Sequence, residues 1–155
     1  MIYDVLKELN IKYEEEYHIP VYTVDEANEL SIKIDGVGCK NLFLKDDKGN
    51  FYLVFMLDSK RADLKSIAEY IGVKKLRFAD EDSLMSILNL EKGSVTPLGI
   101  INDSECLVKL IIDAELVGHK CFMHPNRNDR TVSIGLEDFI RFVEFTNHTY
   151  SLMEM

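Results

Sequence analysis

The spacing of apolar residues changes several times along this chain, and each change marks a new element. Residues 2–9 place Ile2, Val5, Leu6 and Leu9 at helical intervals, which predicts a short amphipathic helix. Residues 14–17 read as a polar-edged strand. Thr23-Val24-Asp25-Glu26 forms a capping box: the Thr23 hydroxyl can serve the Glu26 amide and the Glu26 carboxylate can reach back. A helix through Leu30 should follow, until Gly36 and Gly38 break the pattern. Residues 41–45 and 50–57 are both strand-like, and the turn Asp46-Asp47-Lys48-Gly49 joins them as a hairpin. The second of these strands is apolar almost without interruption, which predicts burial on both faces.

Asp63 is placed to cap a helix running to Tyr70, with Gly72 closing it. A short strand at 75–78 and a short helix at 82–90 come next, the latter stopping before Gly93. Residues 98–102, 107–113, 120–123 and 130–134 read as strands. The last helix spans 136–146, with Phe139, Ile140, Phe142 and Val143 as its apolar face. The tail, 151–155, shows no pattern that assigns it. Pro20, Pro97 and Pro125 all fall between patterned segments. The order does not alternate strictly between strand and helix, and it contains a hairpin. It predicts an α/β protein of the α+β type, with a central mixed, mainly antiparallel sheet flanked by helices. Residues 1–155 should form a single domain.

Composition narrows the chemistry. Apolar residues make up 46% and charged residues 29% of the 155, enough for one core without staples. Three scattered cysteines, Cys39, Cys106 and Cys121, suit a reducing compartment better than a disulfide framework. There is no CxxC or HExxH, and the four histidines lack metal-ligand spacing, so neither a metal nor a cofactor is expected. No apolar run approaches the roughly 18 residues of a membrane span, and the first residues do not resemble a signal peptide. The expected location is the cytoplasm. The net charge of −9 speaks against nucleic-acid binding driven by bulk charge. Local basic groups remain at Lys60-Arg61, Lys74-Lys75-Arg77 and Arg127/Arg130, although solvated surface is the ordinary role of each.

Three stretches are candidates for a site. Gly93-Ser94-Val95-Thr96-Pro97-Leu98-Gly99 is a loop with unusual backbone demands. It can aim amide N–H groups at an oxyanion or phosphate, or it can be a tight connection and nothing more. In Gly38-Cys39-Lys40-Asn41-Leu42-Phe43-Leu44-Lys45-Asp46, Lys40 stands at a strand start, where it can reach a phosphate or sugar hydroxyl or simply be solvated. In Phe122-Met123-His124-Pro125-Asn126-Arg127-Asn128-Asp129-Arg130-Thr131, a strand runs into a polar turn. His124 there can position a water or ribose hydroxyl, or can brace the turn.

Taken together, these segments resemble the free-standing prolyl-tRNA editing proteins, the YbaK/ProX-type family related to the editing insertion of bacterial prolyl-tRNA synthetases. The matching pieces are Lys40-Asn41-Leu42-Phe43-Leu44-Lys45-Asp46, the Gly-x-x-x-Pro-x-Gly loop from Gly93 to Gly99, and His124-Pro125 followed by Asn128 and Thr131. The segment Val21-Tyr22-Thr23-Val24-Asp25-Glu26-Ala27 resembles the family's early helix entrance. The resemblance implies hydrolysis of a wrong amino acid from tRNA(Pro), most similar to the alanine-removing branch, with the cysteine-removing branch second. It implies Lys40, Gly93 and His124 as catalytic residues. Asn41, Leu42, Ser94, Thr96, Pro97, Gly99 and Asn128 are the expected substrate contacts, and Leu42 and Phe43 line a small apolar pocket. The implied partners are the 3′ end of a mischarged tRNA(Pro) and prolyl-tRNA synthetase.

Two other readings compete. Cys39 adjoins Lys40, and Cys121 precedes His124 by three residues, so a thiol nucleophile is chemically sensible. Buried cysteine is more often a small hydrophobe. A non-catalytic tRNA-binding module of the same fold is the other alternative.

Overall fold

The computed structural model describes residues 1–20, 23, 25–26 and 32–155. The chain opens with helix α1 (Ile2–Glu8), which buries Ile2, Val5 and Leu6 as its spacing requires. Strand β1 (Glu14–Tyr17) follows. The expected helix after Thr23 falls mostly outside the described residues, but its start is visible. The Glu26 amide donates to Thr23 Oγ1 at 3.0 Å, while the Thr23 hydroxyl lies 3.3 Å from Glu26 Oε1. The carboxylate therefore reaches the threonine hydroxyl and not its backbone amide.

Strands β2 (Cys39–Asp46) and β3 (Phe51–Leu57) make the expected hairpin. Its turn is built around Asp46, which accepts from the amides of Lys48 and Asn50 at 2.9 and 2.8 Å. Helix α2 (Leu64–Ile71) begins where Asp63 accepts from the Lys65 and Ser66 amides, and ends at Gly72. Strand β4 (Leu76–Phe78) comes next. Strands β5 (Val108–Asp113), β6 (Lys120–Met123) and β7 (Arg130–Gly135) precede helix α3 (Leu136–Phe145) and strand β8 (Tyr150–Met153).

The strands form two sheets, not one. Three associate in the order β1-β7-β6 and five in the order β4-β2-β3-β5-β8. Four of the six strand pairs are antiparallel, while β3–β5 and β5–β8 are parallel. This is the mixed, mainly antiparallel arrangement that the element order implies. Strand β3 is central, and its alternation decides how the layers stack. Leu53 and Phe55 join the main core, which collects Val132 and Ile134 from the small sheet and Phe139 and Phe142 from α3. Tyr52, Val54 and Met56 face the other way, into a second core with Ile67 and Ala68 of α2.

Two sequence expectations are corrected, and the unassigned tail gains a structure. The strand expected over residues 98–102 is instead a 3₁₀ helix (Pro97–Asn102). Thr96 caps it by accepting from the Leu98 amide, and Pro97 sits where no intrahelical N–H is needed. Its short apolar run has no period that separates strand from buried helix. The expected helix at 82–90 is a single α turn (Glu81–Ser83) capped by Asp80, widening into a π turn (Leu84–Leu88) and stopped by Asn89 at φ 55°. The tail is strand β8, paired in parallel with β5.

Candidate functional site

A cavity of about 890 Å³ opens where the start of β2, the Gly93 turn and the end of β6 meet. That volume lies within the range of small-ligand sites. All three candidate stretches reach the wall, with Gly38 to Asn41 and Phe43 from β2 and its approach, Gly93 and Val95 from the loop, and Met123 and His124 from the end of β6, while Phe78 to Glu81 and Leu84 supply a fourth part. Asp58 and Thr131 also face it. Of the ten expected site residues, Lys40, Asn41, Gly93 and His124 are brought together here.

His124 is the most fully defined of these. Its Nδ1 lies 3.0 Å from the Arg130 carbonyl oxygen, which can only accept, so Nδ1 carries the proton. Burial pushes the ring below the ordinary histidine range, and the neighbouring His18 adds to that, against the opposing pull of the Arg130 carbonyl. The ring is therefore neutral near pH 7, with Nε2 as a hydrogen-bond acceptor. His18 repeats the arrangement: Nδ1 lies 2.7 Å from the Ile19 carbonyl and Nε2 2.9 Å from Thr131 Oγ1, so Thr131 donates to it. The two imidazoles meet edge to face at 6.1 Å. His18 was not singled out in the sequence. It stands 113 residues from Thr131, and no local spacing reveals the pair.

Gly93 holds a left-handed φ of 83°, which a side chain would strain. The loop behind it is tied to the histidine strand by Thr96, whose hydroxyl donates to the His124 carbonyl at 2.6 Å. Thr96, Pro97 and Gly99 are buried and do not line the cavity. They hold the loop in place and make no direct contribution to its wall. Ser94 and Asn128 line a separate polar groove of about 390 Å³ on the far side of the same loop.

Strand alternation separates the β2 candidates. Cys39 and Phe43 pack toward the main core, and Asn41 shares their face. Leu42 and Leu44 pack toward the second core, so Leu42 does not line the cavity. Lys40 pairs with Met56 on that second face, and its ammonium donates to the Lys60 carbonyl. The Lys60 ammonium is in turn held by Asp113 at 3.0 Å and Glu115 at 3.2 Å. Lys40 thus borders the cavity with its charge tethered at the rim. Asn41 Oδ1, in contrast, is buried and has no partner among the described residues.

The thiols do not suit nucleophilic work. The neighbouring Cys121 thiol and burial together push Cys39 far above the ordinary thiol range, so no thiolate forms near neutral pH. Cys121 is fully buried behind the wall. Among the described residues, no three His, Cys, Asp or Glu side chains cluster as a metal site, and no helix is long and apolar enough to cross a membrane.

The model of the aminoacyl-tRNA editing domain matches residues 18–142 of this chain. The chain belongs to the aminoacyl-tRNA editing family. The chemistry of that family is hydrolysis of the ester between an amino acid and its tRNA. The chain is 40% identical over 152 residues to the prolyl-tRNA editing protein ProX of Acetoanaerobium sticklandii, covering 97% of this chain and 93% of the relative. It is 37% identical over 149 residues to prolyl-tRNA synthetase associated domain-containing protein 1 of Danio rerio, covering 94% and 81%. A crystal structure described as a candidate trans-editing enzyme for prolyl tRNA synthetase superposes with a TM-score of 0.71 at 18% identity, covering 99% and 94%. It supports the fold.

Proposed function

We propose that this editing-family member removes a wrong amino acid, alanine first, from the 3′ end of tRNA(Pro). The observation that carries the reading is the convergence of Lys40, Asn41, Gly93 and His124 on one cavity. The curated relative that is a prolyl-tRNA editing protein supports tRNA(Pro) as the carrier.

In this mechanism the terminal adenosine sits between the Gly93 turn and the end of β6. The Lys40 ammonium exchanges the Lys60 carbonyl for a phosphate or ribose oxygen at the cavity rim. His124 Nε2 accepts a hydrogen bond from a ribose hydroxyl or from the attacking water. Backbone amides at the Gly93 turn support the oxyanion of the tetrahedral intermediate, which collapses to free amino acid and tRNA. An aminoacyl ester is already activated, so positioning and oxyanion support account for most of the acceleration. Phe43, Val95 and Met123 make the apolar part of the wall and leave room for a small side chain. Each methylene read in this way is worth only about 1–3 kcal/mol, so cysteine is the closest competitor of alanine. Prolyl-tRNA synthetase is the expected source of the mischarged substrate.

The exposed cations Lys74, Lys75 and Arg77 lie on and just before β4, whose Phe78 lines the cavity. They offer phosphate contacts that the overall charge of −9 does not suggest. A deacylation panel with alanine, cysteine and serine on tRNA(Pro) tests the substrate. Alanine should be released fastest, and binding of all three without turnover would contradict the mechanism. Lys40→Ala should slow the reaction; an unchanged rate would remove Lys40 from it.

A further inference from the structure

We propose that Asp58 holds the α-ammonium group of the substrate's amino acid. The proposal rests on the deacylase reading above and assigns a residue to a part of the substrate that the reading leaves unheld. Asp58 directly follows β3, and its amide donates to the Gly38 carbonyl at 3.1 Å. Its carboxylate lies flat against Gly38: a Cβ on residue 38 would stand 2.2 Å from Oδ2 and 3.2 Å from Oδ1. No side chain fits at 38 while the carboxylate keeps this place, and the place is in the cavity wall.

The other charges around the cavity each have a partner in the unliganded chain. Asp80 accepts from the Ser83 amide at 2.7 Å and caps a helical turn. Glu81 faces Lys92 at 3.8 Å. The Lys40 ammonium goes to the Lys60 carbonyl. Asp58 alone of the three cavity acids has neither an ion pair nor a side-chain hydrogen bond among the described residues. Asn41 Oδ1, in the same wall, is a second acceptor without a donor among the described residues. A half-buried carboxylate is costly to leave uncompensated. The two lysines of the wall are paired with the Lys60 carbonyl and with Glu81, which leaves Asp58 and Asn41 Oδ1 open to a donor from the substrate, and a primary ammonium carries a positive charge with three N–H groups. Fixing that ammonium would orient the adjacent ester carbonyl. It would also disfavour proline, whose ring nitrogen offers two N–H groups in a constrained direction.

The test compares alanyl-tRNA(Pro) with lactyl-tRNA(Pro), in which a hydroxyl replaces the ammonium at nearly equal size. Single-turnover deacylation by the native chain and by Asp58→Asn is measured on both. Asparagine keeps the shape against Gly38 and removes the charge. The substitution should slow release of alanine by roughly 10- to 100-fold and leave release of lactate within about threefold. Equal slowing of both, or of neither, overturns the assignment of Asp58. If the native chain leaves alanyl-, cysteinyl- and seryl-tRNA(Pro) intact, the deacylase reading itself fails, and the assignment falls with it.

Discussion

Two sets of polar side chains, both withdrawn from water, behave in opposite ways. Asp46, Asp103 and Asp113 are almost wholly buried, and donors surround each of them. Asp103 accepts from the Leu107 and Val108 amides at 3.1 and 2.9 Å and faces His148 Nε2 at 2.9 Å. Asp113 takes the Leu57 and Glu115 amides and the Lys60 ammonium. Around the cavity the pattern reverses. Asn41 Oδ1 and Asp58 are held in place by packing but have no donor among the described residues, and His124 Nε2 presents its lone pair because Nδ1 serves the Arg130 carbonyl. Buried polar groups are satisfied where they hold the fold together. Where they are left unsatisfied, a ligand is the natural partner.

The comparison can be broken most sharply at Asp113. Asp113→Ala leaves two backbone amides without their acceptor and takes from the Lys60 ammonium its buried partner, and should cost about 3–5 kcal/mol in urea unfolding. Asp58→Asn should leave the unfolding midpoint nearly unchanged. A similar loss for both would erase the distinction between the two sets.

On the cavity side, His124→Ala should lower kcat/KM for alanyl-tRNA(Pro) by about 100-fold while the chain stays folded. Because burial depresses its pKa below the ordinary 6.5, the neutral ring persists as pH falls through that value. The acid limb of any activity that needs the neutral form should therefore be centred below pH 6.5. An acid limb centred above 6.5 would mean that a different group controls the rate.

Asp46 sharpens the structural side of the comparison. Burial alone would raise its pKa, but bonds from Asn50, Lys48 and Tyr52 outweigh that and bring it down to about 2 from 3.8. A depressed carboxylate pKa stabilises the fold above 3.8, and that stability drains away as pH falls toward 2. The contribution is about 2 kcal/mol, and Asp46→Asn should remove this acid-limb dependence from unfolding curves.

The smallest effect is expected at the rim. Arg77→Ala should weaken tRNA binding only modestly and reduce the slope of log affinity against log salt by about 1. An unchanged slope would take β4 out of the tRNA path.

How much of this was legible in the sequence depends on how local the signal is. The apolar run of β3, the Asp63 cap and the Gly72 stop each act within a few residues, and the structure follows them. Strand β8 was not legible, because its partner β5 lies some forty residues away and Tyr150–Met153 carries no alternation strong enough to stand alone. Lys40, Asn41, Phe43, Gly93 and His124 do meet at the cavity, but Leu42, Ser94, Thr96, Pro97, Gly99 and Asn128 do not line it. Asn41 and Leu42 are adjacent strand residues on opposite faces, and Leu42 is taken up by the second core under helix α2, so of the two only Asn41 lines the wall. Ser94 and Asn128 belong to the neighbouring groove because the loop has two sides. Asp58 gave no sign beyond an acid closing an apolar strand. Its role depends on Gly38, which only the paired backbone brings beneath it.

The central claim is that the cavity, and not the satisfied buried acids, receives the acylated adenosine. The most direct measurement is an NMR titration with adenosine carrying alanine in a non-hydrolysable 3′-amide link. Shift changes should concentrate at Asn41, Asp58, Gly93 and His124 and leave Asp103 and His148 unmoved. Saturable changes at the Asp103–His148 pair, with none at His124, would contradict the account.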